Sequence, residues 1–98
     1  MRSGPLDEHG EIVAVGNPEA QTRKVLERIV TVLNEAGATL DHMVKATVFI
    51  KDNSYFGVVN QVWDEFFTGT PPARSVIQVG FGHPDLLVEI EGIAVLSD

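Results

Sequence analysis

Arg74 and Glu89 are the two side chains best suited to act on a small anion, and both lie in the most apolar stretch of the chain, PPARSVIQVGFGHPDLLVEIEGIAV over residues 71–95. A guanidinium is a planar fork that takes a carboxylate through two parallel hydrogen bonds and stays charged in any surroundings. A glutamate close by can orient or activate a water, provided its charge is held by neighbours and not consumed by the arginine. Such a pair suits hydrolysis of a small carboxylic acid. If the loop spans 80–85, so that Val79 pairs with Leu86, strand alternation puts Arg74 opposite Glu91 and diagonal to Glu89 on one sheet face. The plainer reading is a cross-strand charge pair worth about 0.2–1 kcal/mol where exposed. Spacing alone favours that plainer reading over a site.

Other chemistries find less support. His9, His42 and His83 fall in a turn, a helix-to-strand loop and a hairpin loop, without the close spacing of a metal site, so no metal is expected. The chain has no cysteine, which removes disulfides, thiolate ligands and thiol nucleophiles. Gly80-Phe81-Gly82 begins like a dinucleotide fingerprint, but the third glycine is missing and a strand follows where a helix should start. Ser75 has no histidine in a recognisable nucleophile signature, and Asp7 and Asp41 have no obvious partner. Fourteen acidic against seven basic side chains give a net charge of −7, which repels a phosphate backbone. Arg23, Lys24 and Arg28 are interrupted by Glu27 and read as a solvated helix face, so no nucleic-acid partner is expected.

The elements that must position these residues follow from the hydropathy pattern. A short strand is expected over EIVAV, residues 11–15, after the turn-like Asp7-Glu8-His9-Gly10. Asn17-Pro18-Glu19 supplies a cap, a first-turn proline and an early acid for a helix. Its apolar stripe is Val25, Leu26, Ile29, Val30, Leu33 and Ala36, and Gly37 ends it. VKATVFI, residues 44–50, alternates as a strand. Asn53 or Ser54 caps a second helix running through Phe67, with Tyr55, Val58, Val59, Val62, Trp63 and Phe66 as its buried stripe. Pro71 and Pro72 end it. Strands over 73–79 and 86–96 complete the order β-α-β-α-β-β.

Both helices then cover one side of a sheet whose last two strands form an antiparallel pair. On the other side fall Thr47, Phe49, Arg74, Val76, Gln78, Leu87, Glu89, Glu91, Ile93 and Val95. That face is too apolar for water and too charged for a sealed core, and it suits a subunit interface. At 98 residues with 44% hydrophobic and 21% charged side chains, the chain is a single soluble domain over 1–98, with no run long enough to span a membrane. Met1-Arg2-Ser3-Gly4-Pro5 meets Asp7 and Glu8 where a secretion signal needs continuous apolar residues, so the expected compartment is the cytoplasm.

PPARSVIQVG followed by LLVEIEGIAV resembles the signature of the RidA (YjgF) family, the reactive enamine and imine deaminases. The likeness continues through GEIV, QTRKVLERIVTVLNEAG, LDHMVKATVFIKD and VVNQVWDEFF, and so covers residues 10–96. It implies a chorismate-mutase-like α+β fold of two layers, assembled as a homotrimer whose clefts between subunits hold the active sites. It further implies hydrolysis of 2-aminoacrylate, 2-iminopropanoate and related species to 2-oxo acids and ammonia, with no cofactor. By the same likeness Arg74 holds the substrate carboxylate and Glu89 positions the attacking water. Asn60 falls on an asparagine the family keeps near the cleft, though a solvent-facing helix residue is an equal alternative there. Ser75 adjoins Arg74 in the signature, and Ser3 and Gly4 correspond to a cleft-lining pair.

The departures are specific. The family's N-terminal hairpin would precede the point where this sequence begins, as expected of either a truncated chain or a natural short form, and the glutamine expected after Ser3-Gly4 is replaced by Pro5. Val76 stands where many members have cysteine, which removes thiol modification but not imine hydrolysis. A rival reading from another class is a non-enzymatic trimeric module that binds small 2-oxo acids or a protein partner through the same clefts.

Overall fold

The fold is that of a computed structural model that describes residues 1–96. Ser97 and Asp98, the end of the domain expected over 1–98, lie outside the described residues. The elements are β1 (Arg2–Ser3), α1 (Pro18–Glu35), β2 (Met43–Ile50), α2 (Phe56–Phe66), β3 (Ala73–Gln78) and β4 (Val88–Ala94). The order β-α-β-α-β-β and the α+β class therefore agree with expectation, and both helices contribute buried residues to one core with the sheet.

Helix α1 starts as its sequence dictates. The Asn17 side chain accepts from the Ala20 N–H at 3.0 Å, Pro18 needs no donor partner, and Gly37 takes the left-handed φ of +77° just past the end. Val25, Leu26 and Ile29 are fully buried, each worth about 1.5–3 kcal/mol by removal from water. Gln21, also fully buried, ties the helix to the far end of the chain. Its Nε2 donates to the Asp85 carbonyl at 2.8 Å and its Oε1 accepts from the Leu87 N–H at 2.9 Å. Helix α2 is preceded by a 3-10 turn over Asn53–Tyr55, and the capping residue is Asp52 rather than Asn53 or Ser54. Its Oδ1 accepts from the Ser54 N–H at 2.8 Å. Arg23 of α1 reaches Glu65 of α2 at 2.7 Å and fastens the two helices.

The sheet corrects two expectations. Its order is β1-β4-β2-β3, with β2 parallel to β3 and antiparallel to β4. The last two strands are thus not a hairpin. The connection after β3 passes over the end of β2, where Val79 N–H donates to the Ile50 carbonyl and Lys51 N–H donates to the Leu87 carbonyl, both at 2.9 Å. This places β2, the strand whose Ala46, Val48 and Ile50 are all buried, between two partners. Strand β3 takes the edge, consistent with two prolines before it and exposed Ala73, Ser75 and Ile77. The expected strand over 11–15 is reduced to one bridge, Ile12 to Leu6, and the first strand is Arg2–Ser3 paired with Glu91 and Ile90.

Cross-strand register then assigns the faces. Ala46 pairs with Arg74 and Gly92, Val48 with Val76 and Ile90, and Ile50 with Gln78 and Val88, so these residues share the helix side. Arg74, Val76 and Gln78 therefore lie on the face opposite to the one expected, and Leu87 joins the core at 6% exposure. The open face holds Lys45, Thr47, Phe49, Ser75, Ile77, Glu89, Glu91 and Ile93. A bulge between Met43 and Lys45 turns Met43 into the core and leaves Val44 outside. Ile77 is 45% and Ile93 56% exposed, an apolar and charged mixture that no described element covers.

Candidate active site

The expected site residues separate into two groups on opposite sides of the sheet. Arg74 and Glu91 are not opposed: Arg74 pairs with Ala46, and Glu91 pairs with Thr47 and Arg2. Glu89 pairs with Phe49, and β2 lies between its strand and that of Arg74. The misplacement follows from the hairpin assumption, because inserting a strand between β3 and β4 changes the neighbour of every residue on both.

The first group surrounds Arg74. The guanidinium carbon lies 4.9 Å from the ring centre of Trp63, and Trp63 stacks on Phe67 with centroids 4.2 Å apart and planes 26° from parallel. Helix α2 supplies this support because Trp63 and Phe67 are one turn apart and both face the core. Among the described residues no carboxylate forms an ion pair with Arg74. Its Nη1 is buried and has no hydrogen-bond partner among the described residues. A buried donor left unmade costs about 1–3 kcal/mol, more where it is charged, so the arrangement is unfavourable without a ligand. An open groove of about 380 Å³ lined by Trp63, Asp64, Phe67, Pro71, Pro72 and Arg74 lies alongside. Asn60, one turn before Trp63, is half-buried rather than solvent-facing, and its Oδ1 is also buried without a partner.

The second group surrounds Glu89 on the open face. Its carboxylate is held by Arg2, whose Nε and Nη2 both converge on Oε2, at 2.7 and 2.6 Å. The Arg2 guanidinium in turn lies 5.0 Å from the Phe49 ring centre and has Glu91 at 4.0 Å. Because both donors meet one oxygen, Oε1 keeps its lone pairs; among the described residues it has no donor. Gly4 adjoins it closely, since a β-carbon there would sit 3.8 Å from Oε1. Ser75 is exposed on the open side of β3, opposite Thr47, and away from Glu89.

Sequence reasoning missed Arg2 as the partner of Glu89 and Trp63 as the support of Arg74. Arg2 carries no local signal, although it immediately precedes the Ser3-Gly4 pair. Trp63 was readable only as a core residue of the helical stripe.

Four other titratable side chains, His42, His83, Arg28 and Arg23, are engaged locally. His42 Nδ1 accepts from the Thr39 N–H at 2.9 Å and His83 Nδ1 from the Asp85 N–H at 3.1 Å. Arg28 donates to the Leu6 carbonyl at 2.8 Å, and Arg23 is shared between Glu19 and Glu65, so these basic residues serve the fold. No three His, Cys, Asp or Glu side chains gather as a metal site among the described residues, and no described helix is long and apolar enough to cross a membrane.

The chain matches the family described as Endoribonuclease L-PSP over residues 2–96. It is 42% identical over 90 residues to 3-aminoacrylate deaminase RutC of Acinetobacter baylyi, covering 92% of this chain and 71% of that protein. The crystal structure of the E. coli YjgF gene product superposes with a TM-score of 0.86 at 36% identity, over 97% of this chain and 76% of that one. E. coli TdcF with bound serine superposes with a TM-score of 0.88 at 36% identity, over 99% and 78%. With the fold, the Arg74 and Glu89 signature and a match that spans nearly every residue, the chain belongs to the Endoribonuclease L-PSP family, the RidA (YjgF) family of proteins.

Proposed function

We propose that the chain hydrolyses small enamines and imines bearing a carboxylate, such as 2-aminoacrylate and its tautomer 2-iminopropanoate, to 2-oxo acids and ammonia. The observation that carries this reading is the Arg74 fork, which is braced on an indole and, among the described residues, free of carboxylates and left with a buried unpaired N–H. An organic carboxylate supplies what that fork lacks. The deaminase activity in the name of RutC and the serine bound to TdcF agree with a site for small molecules that carry nitrogen and a carboxylate.

In this mechanism Arg74 holds the substrate carboxylate while Asn60, on the same side of the sheet, lines the approach; Ser75, on the open side of β3, stands apart from them within one copy. Glu89, oriented through Oε2 by Arg2, uses Oε1 to accept a proton from water as the water oxygen bonds to the imine carbon. The carbon–nitrogen π pair moves to nitrogen. That proton passes from Glu89 to the nitrogen; the hydroxyl oxygen then forms the carbonyl as the carbon–nitrogen bond breaks and ammonia departs, and the hydroxyl proton, taken up by Glu89, passes to that ammonia, leaving a 2-oxo acid and ammonium. A protonated imine is already electrophilic, so orientation and one placed water supply most of the acceleration. Gly4 keeps the space beside Oε1 open.

Since Arg74 and Glu89 occupy opposite faces of one sheet, the site is completed between copies of the chain. The uncovered open face is the surface for that assembly, which we take to be a homotrimer in the cytoplasm. The family description as an endoribonuclease is a weaker guide to activity here, because net charge −7 disfavours a polyanion and Arg23 and Arg28 are engaged internally.

The test supplies 2-aminoacrylate from a serine dehydratase and follows pyruvate formation with wild type, Arg74→Ala and Glu89→Gln. Wild type is expected to accelerate release well beyond the spontaneous rate and both variants to lose most of it. Acceleration by wild type and Arg74→Ala alike would refute the reading. Arg74-dependent binding of pyruvate without any turnover would establish the non-enzymatic module instead.

A further inference from the structure

We infer that Trp63 is a positioning residue for carboxylate recognition: its indole face, and no acidic group, sets where the Arg74 fork points. This rests on the reading of Arg74 as the carboxylate holder. An arginine side chain has many rotamers, and proteins commonly fix one by pairing it with a glutamate or aspartate, but such a partner occupies the N–H edge a ligand needs. A ring face holds the cation differently. It contacts the flat of the guanidinium and leaves the in-plane N–H groups to an incoming anion. Arg74 has this second arrangement, with its carbon 4.9 Å from the Trp63 ring centre and no ion pair among the described residues.

The support is itself immobile. Trp63 is 4% exposed and stacks on Phe67 with centroids 4.2 Å apart, so the ring that meets the guanidinium is itself packed. Helix α2 holds the stack in place through fully buried Val59 and Val62 and through the Arg23 to Glu65 ion pair with α1. The groove along it is walled by Pro71 and Pro72 beside the two aromatic residues, with Asp64 also on its lining, and the apolar walls suit the short carbon chain of a small acid.

Trp63 is the sole tryptophan, so it also reports on the fork it supports. Titration of the intact protein with pyruvate is expected to change tryptophan emission saturably, and Arg74→Ala to abolish that change together with calorimetric binding. Trp63→Leu is expected to weaken pyruvate binding and raise KM about tenfold, with kcat within about threefold, the pattern of a lost binding contribution. Trp63→Tyr, which keeps a ring face, is expected to restore most of the affinity. A folded Trp63→Leu with wild-type affinity, beside an Arg74→Ala that no longer binds, overturns the inference and leaves the deaminase reading intact. Equal binding and turnover by Arg74→Ala overturns the reading itself. If Trp63→Leu does not fold, calorimetric saturation of wild type without any emission change, or a Trp63→Tyr that binds no pyruvate, is the result that overturns the inference.

Discussion

Replacing Arg74 by Met separates a residue kept for ligand binding from one kept for stability. Two opposing contributions decide the outcome. The substitution removes a buried guanidinium N–H that has no acceptor, relieving about 1–3 kcal/mol of desolvation cost. It also removes the stack on Trp63, worth about 0.5–2 kcal/mol in a partly desolvated setting. Met is unbranched, of similar length and able to lie against the indole with a favourable sulfur contact, so little packing is lost. The net expectation is no change to a gain of about 1 kcal/mol, which in a domain of this size corresponds to a rise in Tm of up to about 8 °C. Deaminase activity is expected to vanish in the same variant. Urea unfolding and thermal melting, at protein concentrations held equal because assembly affects both, measure the first quantity. The pyruvate assay measures the second. A loss of more than about 2 kcal/mol would show that Arg74 holds the native fold together and would refute the argument that its N–H groups await a ligand.

Arg2→Ala breaks the contact of a solvent-exposed guanidinium with the less exposed Glu89, so stability should fall by about 1 kcal/mol or less and turnover by about two- to fivefold, as checked by melting and kcat at matched salt. Gly92→Ala puts a β-carbon against Met43 Cε and 3.2 Å from the Lys45 carbonyl oxygen, and urea unfolding should report a loss of about 1–3 kcal/mol. Asp52 is held below its ordinary carboxylate value first by the Ser54 N–H and then by the Ser54 hydroxyl. A lowered folded pKa adds stability that is present above the unfolded value near 4 and lost as pH falls through the folded one. Asp52→Ala should therefore be less stable than wild type at pH 7, with the difference closing below about pH 4 in urea titrations at each pH. If Arg74 and Glu89 of one site come from different copies, a refolded equal mixture of inactive Arg74→Ala and Glu89→Gln should regain about a quarter of wild-type activity, one half times one half. Persistent inactivity of well-formed mixed assemblies would place both residues of each site in a single copy.

The helices were legible because their signals are local. Asn17-Pro18 and Gly37 bracket α1, and its stripe predicted Val25, Leu26, Ile29 and Leu33 as buried. Strand β2 was legible by alternation except at Val44, where the bulge reverses the faces. Strand pairing was not, because period-two alternation tells which residues share a face but not which strand lies beside which. That ambiguity moved Arg74, Val76 and Gln78 to the wrong side and joined Arg74 to Glu91. The resemblance identified Arg74, Glu89, Asn60, Ser75 and Gly4 by type, and the structure supplied what sequence lacks: that Gly4 lies with Glu89, that Asn60 has a buried carbonyl on the Trp63 helix, and that Ser75 is apart from both. Arg2 was out of reach because its contact to Glu89 spans 87 residues of chain.

The sheet that keeps Arg74 and Glu89 apart has a consequence for when the proposed chemistry begins. On that proposal a lone copy holds both tools but turns them away from each other, and it is expected to be inert toward a reactive metabolite. Activity per molecule then depends on crowding among like chains. If each site draws Arg74 and Glu89 from different copies, activity at dilution is expected to fall more steeply than the number of molecules, so that abundance itself switches the protein on.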